Sequence, residues 1–417
     1  MDQTSVCADG YEFAAPDSWD HFSDTVALAY GGYDAASAYQ DVLAAVFEPQ
    51  RSLLAHRGGR TCATLAVYSL DMGVPGGRRP VAGISYVTAD PAHRRRGLMR
   101  GLMVRTFARL YERGEEPVAA LHTTEPAIYG RFGFGSATRA IHLRIPRHAR
   151  DMTHPHNEPP LPVSVVDPAE CVPDIARIHQ GAPDRRPGAF HRDDAWTRRA
   201  LLDLPERRGK AGRLLCVLAE DRDESSRPRG YALYSLTARW EDSYPRYDVH
   251  VRELFAEDPL AYTSVWRALL DIDLAGAVHA DRPVDDPVLA LLADPRSAVP
   301  VVRDQLYVRV VDLGRALGER GYAAEVDVVI EVADTDCPWN QGRWRLRTGV
   351  DGGDCARTTA AADLSLSAWE LGAVYLGGTS LKQLAAAGRV TEHRAGALAA
   401  TTHAFHHDPA PFCPMLF

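Results

Sequence analysis

Three stretches of the 417-residue sequence bring together residue types that can do chemistry. The first is His93-Arg94-Arg95-Arg96-Gly97-Leu98, a basic run closed by glycine. Where such a run joins a strand to a helix, successive backbone amides and the helix dipole can hold a pyrophosphate, and the glycine lets it approach the backbone. A solvated helix cap is the competing reading of the same residues. The second is Tyr129, ahead of Gly130-Arg131-Phe132-Gly133-Phe134. A phenol of pKa ~10 is protonated at neutral pH and close enough to a thiol in basicity to act as a general acid, the alternative being a packed core tyrosine. The third is Pro411-Phe412-Cys413-Pro414-Met415-Leu416-Phe417. Termini usually fray and are polar, whereas this one is apolar and leaves a sticky patch unless packed inside. Packing it carries the α-carboxylate of Phe417 inside too, ionised at its ordinary pKa of ~3.3–3.7 and made more basic by partial burial, as a base requires. A plug at a domain seam is the alternative role.

Periodicity gives the elements that must position these groups. Val81-Ala82-Gly83-Ile84-Ser85-Tyr86-Val87-Thr88-Ala89 reads as a strand ended by Asp90-Pro91. From Leu98 to Tyr111, Met99, Leu102, Met103, Phe107 and Leu110 share one helical face, and Gly114 stops the helix. Pro117-Val118-Ala119-Ala120-Leu121 is a short apolar strand of the buried parallel type, leading through Thr124 to Tyr129. Upstream, Thr61 to Tyr68 alternates, and a Gly/Pro-rich turn from Met72 to Pro80 pairs it with the strand at Val81. Tyr86 points from that strand as a candidate substrate-site residue.

Strand, basic turn, amphipathic helix, strand, then tyrosine: this order resembles the acetyl-CoA core of the Gcn5-related N-acetyltransferases (GNAT). More narrowly, His93-Arg94-Arg95-Arg96-Gly97-Leu98 with Ala127-Ile128-Tyr129-Gly130-Arg131-Phe132-Gly133 is similar to the Eis ("enhanced intracellular survival") aminoglycoside acetyltransferases. The resemblance implies acetyl-CoA as co-substrate and no metal. It implies that the Val87 backbone N–H polarises the thioester oxygen, with Thr88 and Ala89 continuing the contact. Arg94, Arg95, Arg96, Gly97, Leu98, Met99 and Arg100 then hold the pyrophosphate. Thr124 stands where an Eis-type serine touches the cofactor, Tyr129 is the acid, and the terminal carboxylate of Phe417 is the base. The helices of Asp17 to Phe47, with Trp19, Phe22, Tyr30, Tyr33, Tyr39 and Phe47, then cover the acceptor side, where some of these aromatics and Asp24 or Asp41 are candidates to line a pocket. Two departures are visible: Met99 stands where Gly or Ala is common, and Leu416 where the family offers an acidic neighbour.

The whole chain bounds these readings. At 417 residues two or three domains are expected, and 46% hydrophobic with 24% charged residues is ordinary for a globular protein. A net charge of -8 argues against nucleic acid as partner and suits a small cationic amine substrate. No stretch reads as a secretory signal or a bilayer span. Seven scattered cysteines with no Cys-x-x-Cys pair fit a reduced cytoplasmic protein. His154 and His156, in a Pro/His-rich linker, are read as solvated residues; His403, His406 and His407 with Asp408 have types that can coordinate zinc, but the acetyl transfer implied by the resemblance needs no metal.

The remaining chain divides in two. Leu214–Ala219, Gly230–Leu236 and Tyr247–Phe255 read as strands and Pro259–Leu270 as a helix, repeating the first sheet. Between the last strand and that helix stands Ala256-Glu257-Asp258, acidic where a pyrophosphate needs donors, so this second acetyltransferase-like domain is expected to bind no cofactor. Tyr307–Leu313, Glu325–Val332, Arg343–Thr348 and Ala362–Leu366 read as strands, with helices Gly314–Arg320, Ser367–Leu376 and Ser380–Ala387. Their order resembles the sterol-carrier-like C-terminal domain of the Eis family. The expected fold is therefore mixed α+β: a GNAT domain at 1–150, a degenerate GNAT-like domain at 151–300, and a sterol-carrier-like domain at 301–417. The resemblance also implies a homo-oligomer, a hexamer, with no membrane partner. The expected function is transfer of acetyl to amines of aminoglycosides, other cationic small molecules or lysine side chains. A non-catalytic acetyl-CoA-binding sensor or scaffold is the rival, and a longer acyl chain a third possibility.

Overall fold

The computed structural model describes residues 10–29, 37–153, 158–223, 226–241, 244–349 and 352–417. Tyr30, Tyr33, His154 and His156, singled out above, lie outside them, as does Cys7, one of the seven cysteines. The described chain opens with β1 (Glu12–Ala14), α1 (Trp19–Ala29) and α2 (Ser37–Val46), then the strands β2 (Leu53–Arg57), β3 (Arg60–Val74) and β4 (Gly77–Ala89). β3 and β4 form a long hairpin whose register closes at Val74↔Gly77. The expected turn from Met72 to Pro80 shrinks to Pro75-Gly76. Proline fixes the first central position and Gly76, at φ +88°, supplies the positive φ a tight turn needs at the second. Met72 and Val74 are buried strand residues, so their burial outweighed the Gly/Pro content from which the turn was read.

α3 (Leu98–Arg113) lays Leu98, Leu102, Met103, Phe107 and Leu110 on the core side, and Gly114, left-handed at φ +65°, closes it by donating to the Leu110 carbonyl. β5 (Val118–His122), the single turn α4 (Pro126–Tyr129) and the short β6 (Gly135–Ser136) follow.

The next strand leaves this sheet. β7 (Arg139–Pro146) belongs to a second compact unit of Arg139–Arg185 and His191–Asp304. That unit contains β8 (Val163–Val166), α5 (Val172–Gln180), α6 (Ala182–Arg185), α7 (Asp194–Leu201), β9 (Leu215–Glu220), β10 (Pro228–Glu241), β11 (Tyr244–Ala256), α8 (Pro259–Leu270), β12 (Ala275–Pro283), α9 (Val288–Leu291) and β13 (Val301–Asp304). Its seven strands run β13-β7-β12-β11-β10-β9-β8. β11, α8 and a parallel β12 repeat the β4, α3, β5 arrangement of the first unit.

β14 (Leu306–Val310) returns to the first sheet, which runs β1-β2-β3-β4-β5-β14-β6. The two sheets thus exchange strands: β7 lies antiparallel to β12, and β14 antiparallel to β5. The unit edges at Thr138 and Gln305 therefore differ from the expected boundaries at 150 and 300. An alternating strand carries no mark of which sheet it joins, so neither exchange was visible beforehand.

After α10 (Leu313–Glu319) the chain builds a five-stranded sheet from β15 (Asp327–Ala333), β16 (Gly342–Gly349), β17 (Gly352–Arg357), β18 (Leu364–Ser367) and β19 (Thr391–Glu392). It also carries α11 (Ala368–Val374), α12 (Leu381–Ala386) and α13 (Ala397–Phe405). Arg309 on β14 forms a buried ion pair with Asp334, 2.6 and 2.8 Å to its two oxygens, tying this layer to the first sheet within the same unit.

Candidate active site

The site begins where two parallel strands part. β4 pairs with β5 only over Val81–Gly83 against Val118–Ala120. Beyond Gly83, β4 is bent by a bulge: Thr64 pairs with Thr88 and Ala66 with Ser85, so Tyr86 and Val87 together face the single Leu65. Tyr86 takes φ +47°, a left-handed conformation that costs a tyrosine about 1–2 kcal/mol. Two threonines hold it. The Thr64 hydroxyl donates to the Tyr86 carbonyl at 2.7 Å and therefore accepts from the buried Thr88 hydroxyl at 2.6 Å. Past the bulge, Val87 and Ala89 are half-buried, and no described strand pairs with them on the β5 side.

The Tyr86 ring packs against Trp19 and Phe22 of α1 at centroid distances of 5.7 and 6.2 Å, and Phe47 completes the cluster. Tyr86 is therefore part of an aromatic wall rather than a lone pocket side chain. Asp24 and Asp41 are exposed.

The basic turn follows β4. Asp90 caps a single helical turn at Pro91–His93, Arg95 and Gly97 take left-handed φ of 61° and 77°, and α3 begins directly. Among the described residues no side chain caps α3 and no acidic residue lies in its first turn, and the exposed Arg94, Arg95 and Arg96 stand beside this helix end. Leu98 is buried in the core and Met99 packs against it, so near this turn each can offer only its backbone. Arg100 is turned elsewhere: its guanidinium pairs with the buried Asp336 at 2.5 Å. Burial pushes the Asp336 carboxyl above its usual range, with Arg100 acting the other way. His93 is fixed by the Tyr11 hydroxyl at 2.7 Å.

The corresponding helix of the second unit is closed. Asp258 caps α8, accepting from the amides of Leu260 and Ala261 at 2.9 and 3.0 Å, and Arg229 binds the same carboxylate. Glu257 beside it is held by Arg177 and Arg227. An internal carboxylate thus caps α8, whereas among the described residues no side chain caps α3.

Thr124 is exposed in the loop after β5. Tyr129 ends α4, half-buried, its ring edge-on to buried Phe134 at 6.2 Å. The apolar tail is packed: Phe412, Cys413, Met415 and Phe417 are buried and Leu416 is 69% exposed. Phe417 lies in the gap between the parting strands. Its ring sits against Gly83 of β4, where an added methyl would come within 3.1 Å, and edge-on to His122 of β5 at 5.2 Å. The Ser85 hydroxyl donates to the terminal oxygen of Phe417 at 3.0 Å. His122 donates from Nε2 to the Met415 carbonyl at 2.9 Å, which fixes its tautomer, because a carbonyl can only accept.

The structure thus groups Val87, Thr88, Ala89 and Tyr86 with Phe417 around one bulged strand, and Arg94 to Gly97 around one helix end. It turns Arg100 away. Ser85, His122 and Phe190, whose ring meets Phe417 at 5.2 Å, went unread in the sequence. Ser85 stood in the strand pattern and His122 directly after one, but a partner three hundred residues away leaves no local trace. Among the described residues no group of three or more His, Cys, Asp or Glu is placed to hold a metal, and no helix is long and apolar enough to cross a membrane.

Comparison with known proteins assigns the units. Family models described as acetyltransferase (GNAT) domains match residues 11–137 and 188–310, and one described as a sterol carrier protein domain matches 313–414. An uncharacterized N-acetyltransferase of Streptomyces avermitilis is 40% identical over 95% of this chain and 97% of its own. N-acetyltransferase Eis of Mycobacterium bovis is 33% identical over 80% of each chain. The chain belongs to the Eis-type GNAT acetyltransferases. The crystal structure of Eis1 from Mycobacterium abscessus superposes with a TM-score of 0.82 at 29% identity, covering 97% of this chain and all of that one. The Eis-type architecture, two GNAT domains followed by a sterol-carrier-like domain, is therefore that of this enzyme, an N-acetyltransferase.

Proposed function

We propose that the enzyme transfers the acetyl group of acetyl-CoA to a primary amine of a cationic small molecule, an aminoglycoside among the candidates, or of a lysine side chain. The observation that carries the proposal is Phe417, whose terminal oxygen accepts from Ser85 in the gap between β4 and β5. Bound there, the thioester would supply an activated acyl carbon and a thiolate leaving group. The open end of α3 with Arg94, Arg95, Arg96 and Gly97 holds the pyrophosphate, Leu98 and Met99 contributing backbone only. The Val87 N–H, in the bulge beyond the β4–β5 pairing, polarises the acyl oxygen, with Thr88 and Ala89 beside it. Thr124 lies at the cofactor side. The Phe417 carboxylate takes the proton of the incoming ammonium, and the Tyr129 hydroxyl gives one to the thiolate. Tyr86 with Trp19 and Phe22 forms an apolar wall for the acceptor. Arg100, paired with Asp336, is left out of the pyrophosphate set.

No metal takes part in this scheme. We further propose a cytoplasmic homohexamer, with no membrane or nucleic acid partner; light scattering on the purified chain tests the oligomer. The main test is release of free CoA with a panel of amines, run on the native chain and on one extended by a glycine after Phe417. Each residue spans about 3.5 Å, so the extension moves the carboxylate out of reach. Turnover should fall about 10²-fold with acetyl-CoA affinity unchanged. Equal turnover in the extended chain would place the base elsewhere, and no CoA release with any amine would favour an acetyl-CoA sensor.

A further inference from the structure

The residues that seat Phe417 come partly from a segment whose neighbours in sequence belong to the other unit. Arg186–Phe190 is part of the first unit, while Arg185 before it and His191 after it are part of the second. The segment is pinned to β3 where β2, paired only as far as Leu65, leaves that edge uncovered. Gly188 donates to the Gly73 carbonyl and Gly73 to the Ala189 carbonyl, both at 2.8 Å, and Phe190 bridges antiparallel to Met72. Its other side holds the tail. The Phe412 amide donates to the Pro187 carbonyl at 2.9 Å, and the Arg186 guanidinium donates to the Ala410 carbonyl. Gly188 has φ +89°, and a Cβ there would come within 3.1 Å of the Phe412 carbonyl oxygen, so only glycine fits this approach. Two residues beyond Phe190, Arg192 is anchored inside the second unit by Glu253 at 2.7 and 3.1 Å, and Glu253 also accepts from the Tyr231 hydroxyl at 2.8 Å.

Gly83, His122 and Phe190 all lie against the Phe417 ring. Gly83 offers only backbone, His122 is committed to Met415, and Phe190, fully buried, presses edge-on at 78°. Ring and terminal carboxylate share one Cα, so the seat of the ring limits how far the carboxylate can move from Ser85. We infer that Phe190 is a positioning residue for that carboxylate, and that the Arg186–Phe190 clip holds the base through the ring of Phe417. The inference rests on the proposed role of the carboxylate. A displacement of about 1 Å at a reacting group costs up to about 10²-fold in rate, so the seat of the ring matters as much as its presence.

The test uses full-length Phe190→Ala and Phe190→Leu and reads the tail directly. Carboxypeptidase A removes an accessible C-terminal phenylalanine, and mass spectrometry follows the loss of Phe417. Release from Phe190→Ala should be at least about tenfold faster than from the native chain, with Phe190→Leu between them. If the alanine variant does not fold, the leucine variant carries the same comparison. In the amine assay kcat should fall about tenfold or more while KM for acetyl-CoA stays unchanged. That fall should vanish when Phe190→Ala is made in the glycine-extended chain, since groups acting through one carboxylate are not additive. Unchanged release of Phe417, or losses that multiply with the extension, would overturn the inference. Faster release alongside a native chain that turns over no amine would overturn the acetyl-transfer reading and support the seating of Phe417 by Phe190.

Discussion

Tyr129→Phe keeps the ring against Phe134 and deletes only the hydroxyl. We expect kcat to fall about 10²-fold with acetyl-CoA affinity unchanged, read by CoA release and by calorimetry; an unchanged kcat returns Tyr129 to packing. Leu416 is exposed beside the terminal residue, so Leu416→Glu needs no repacking. A second carboxylate there should raise kcat/KM for a tricationic amine about fivefold and leave a monoamine nearly unaffected, an effect that salt should erase. Equal gains for both amines would remove the electrostatic argument. At this scale the sequence marks candidates whose residues are contiguous: the basic turn, Tyr129 and the apolar tail each stand out within a few residues, and the tail is packed as its apolar residues require. Ser85 and His122 did not, because a serine or histidine at a strand end is ordinary until its partner is known.

Among the elements, α3 and α8 make the same junction with opposite outcomes, and the difference is one carboxylate. Gly97→Asp would give α3 what Asp258 gives α8. A Cβ at Gly97 meets nothing within 4 Å, and aspartate tolerates the left-handed conformation better than most residues, so the variant should fold. Its carboxylate would compete for the helix end, and acetyl-CoA binding by calorimetry should be lost with only a small change in melting temperature. Titration of the native chain should accordingly find one acetyl-CoA per chain, and two would contradict the closure of α8 by Asp258. Helices and strands were readable here from their periodicity, including α8 to the residue. The bend in β4 was not, since a bulge is a relation between Thr64, Thr88 and Tyr86 across two strands. The pairing of Arg100 was hidden for a related reason: Asp336, which claims its guanidinium, lies far along the chain.

For the molecule as a whole, acid should weaken the second unit in a way traceable to one imidazole. His179 is buried, has no hydrogen-bond partner on either ring nitrogen among the described residues, and is pushed by burial, with Arg192 adding to it, down to about 3. The unfolded chain carries this group near its ordinary 6.5, so between the two values it binds a proton that the folded chain excludes. Its contribution is therefore present above pH 6.5 and lost as the pH falls toward 3, at up to about 1.4 kcal/mol per pH unit. Urea unfolding of the native chain and His179→Leu between pH 7 and 4 should give stability curves that diverge on acidification, and parallel curves would overturn this assignment. The two acetyltransferase-like sheets were legible as a repeat, but the unit boundaries were not, because β7 and β14 trade places. That exchange sets an order on the ribosome. β5 emerges early with an apolar edge of Val118 to Leu121, and its partner β14 does not exist until Leu306–Val310 has been made. At ~5–20 residues per second the nascent chain carries an open, sticky edge for on the order of ten seconds or more. A gene fragment ending near residue 150 would hold the whole basic turn yet keep that edge bare, so such a fragment should collect as aggregate during synthesis, whereas the full-length chain can close its first sheet while still emerging.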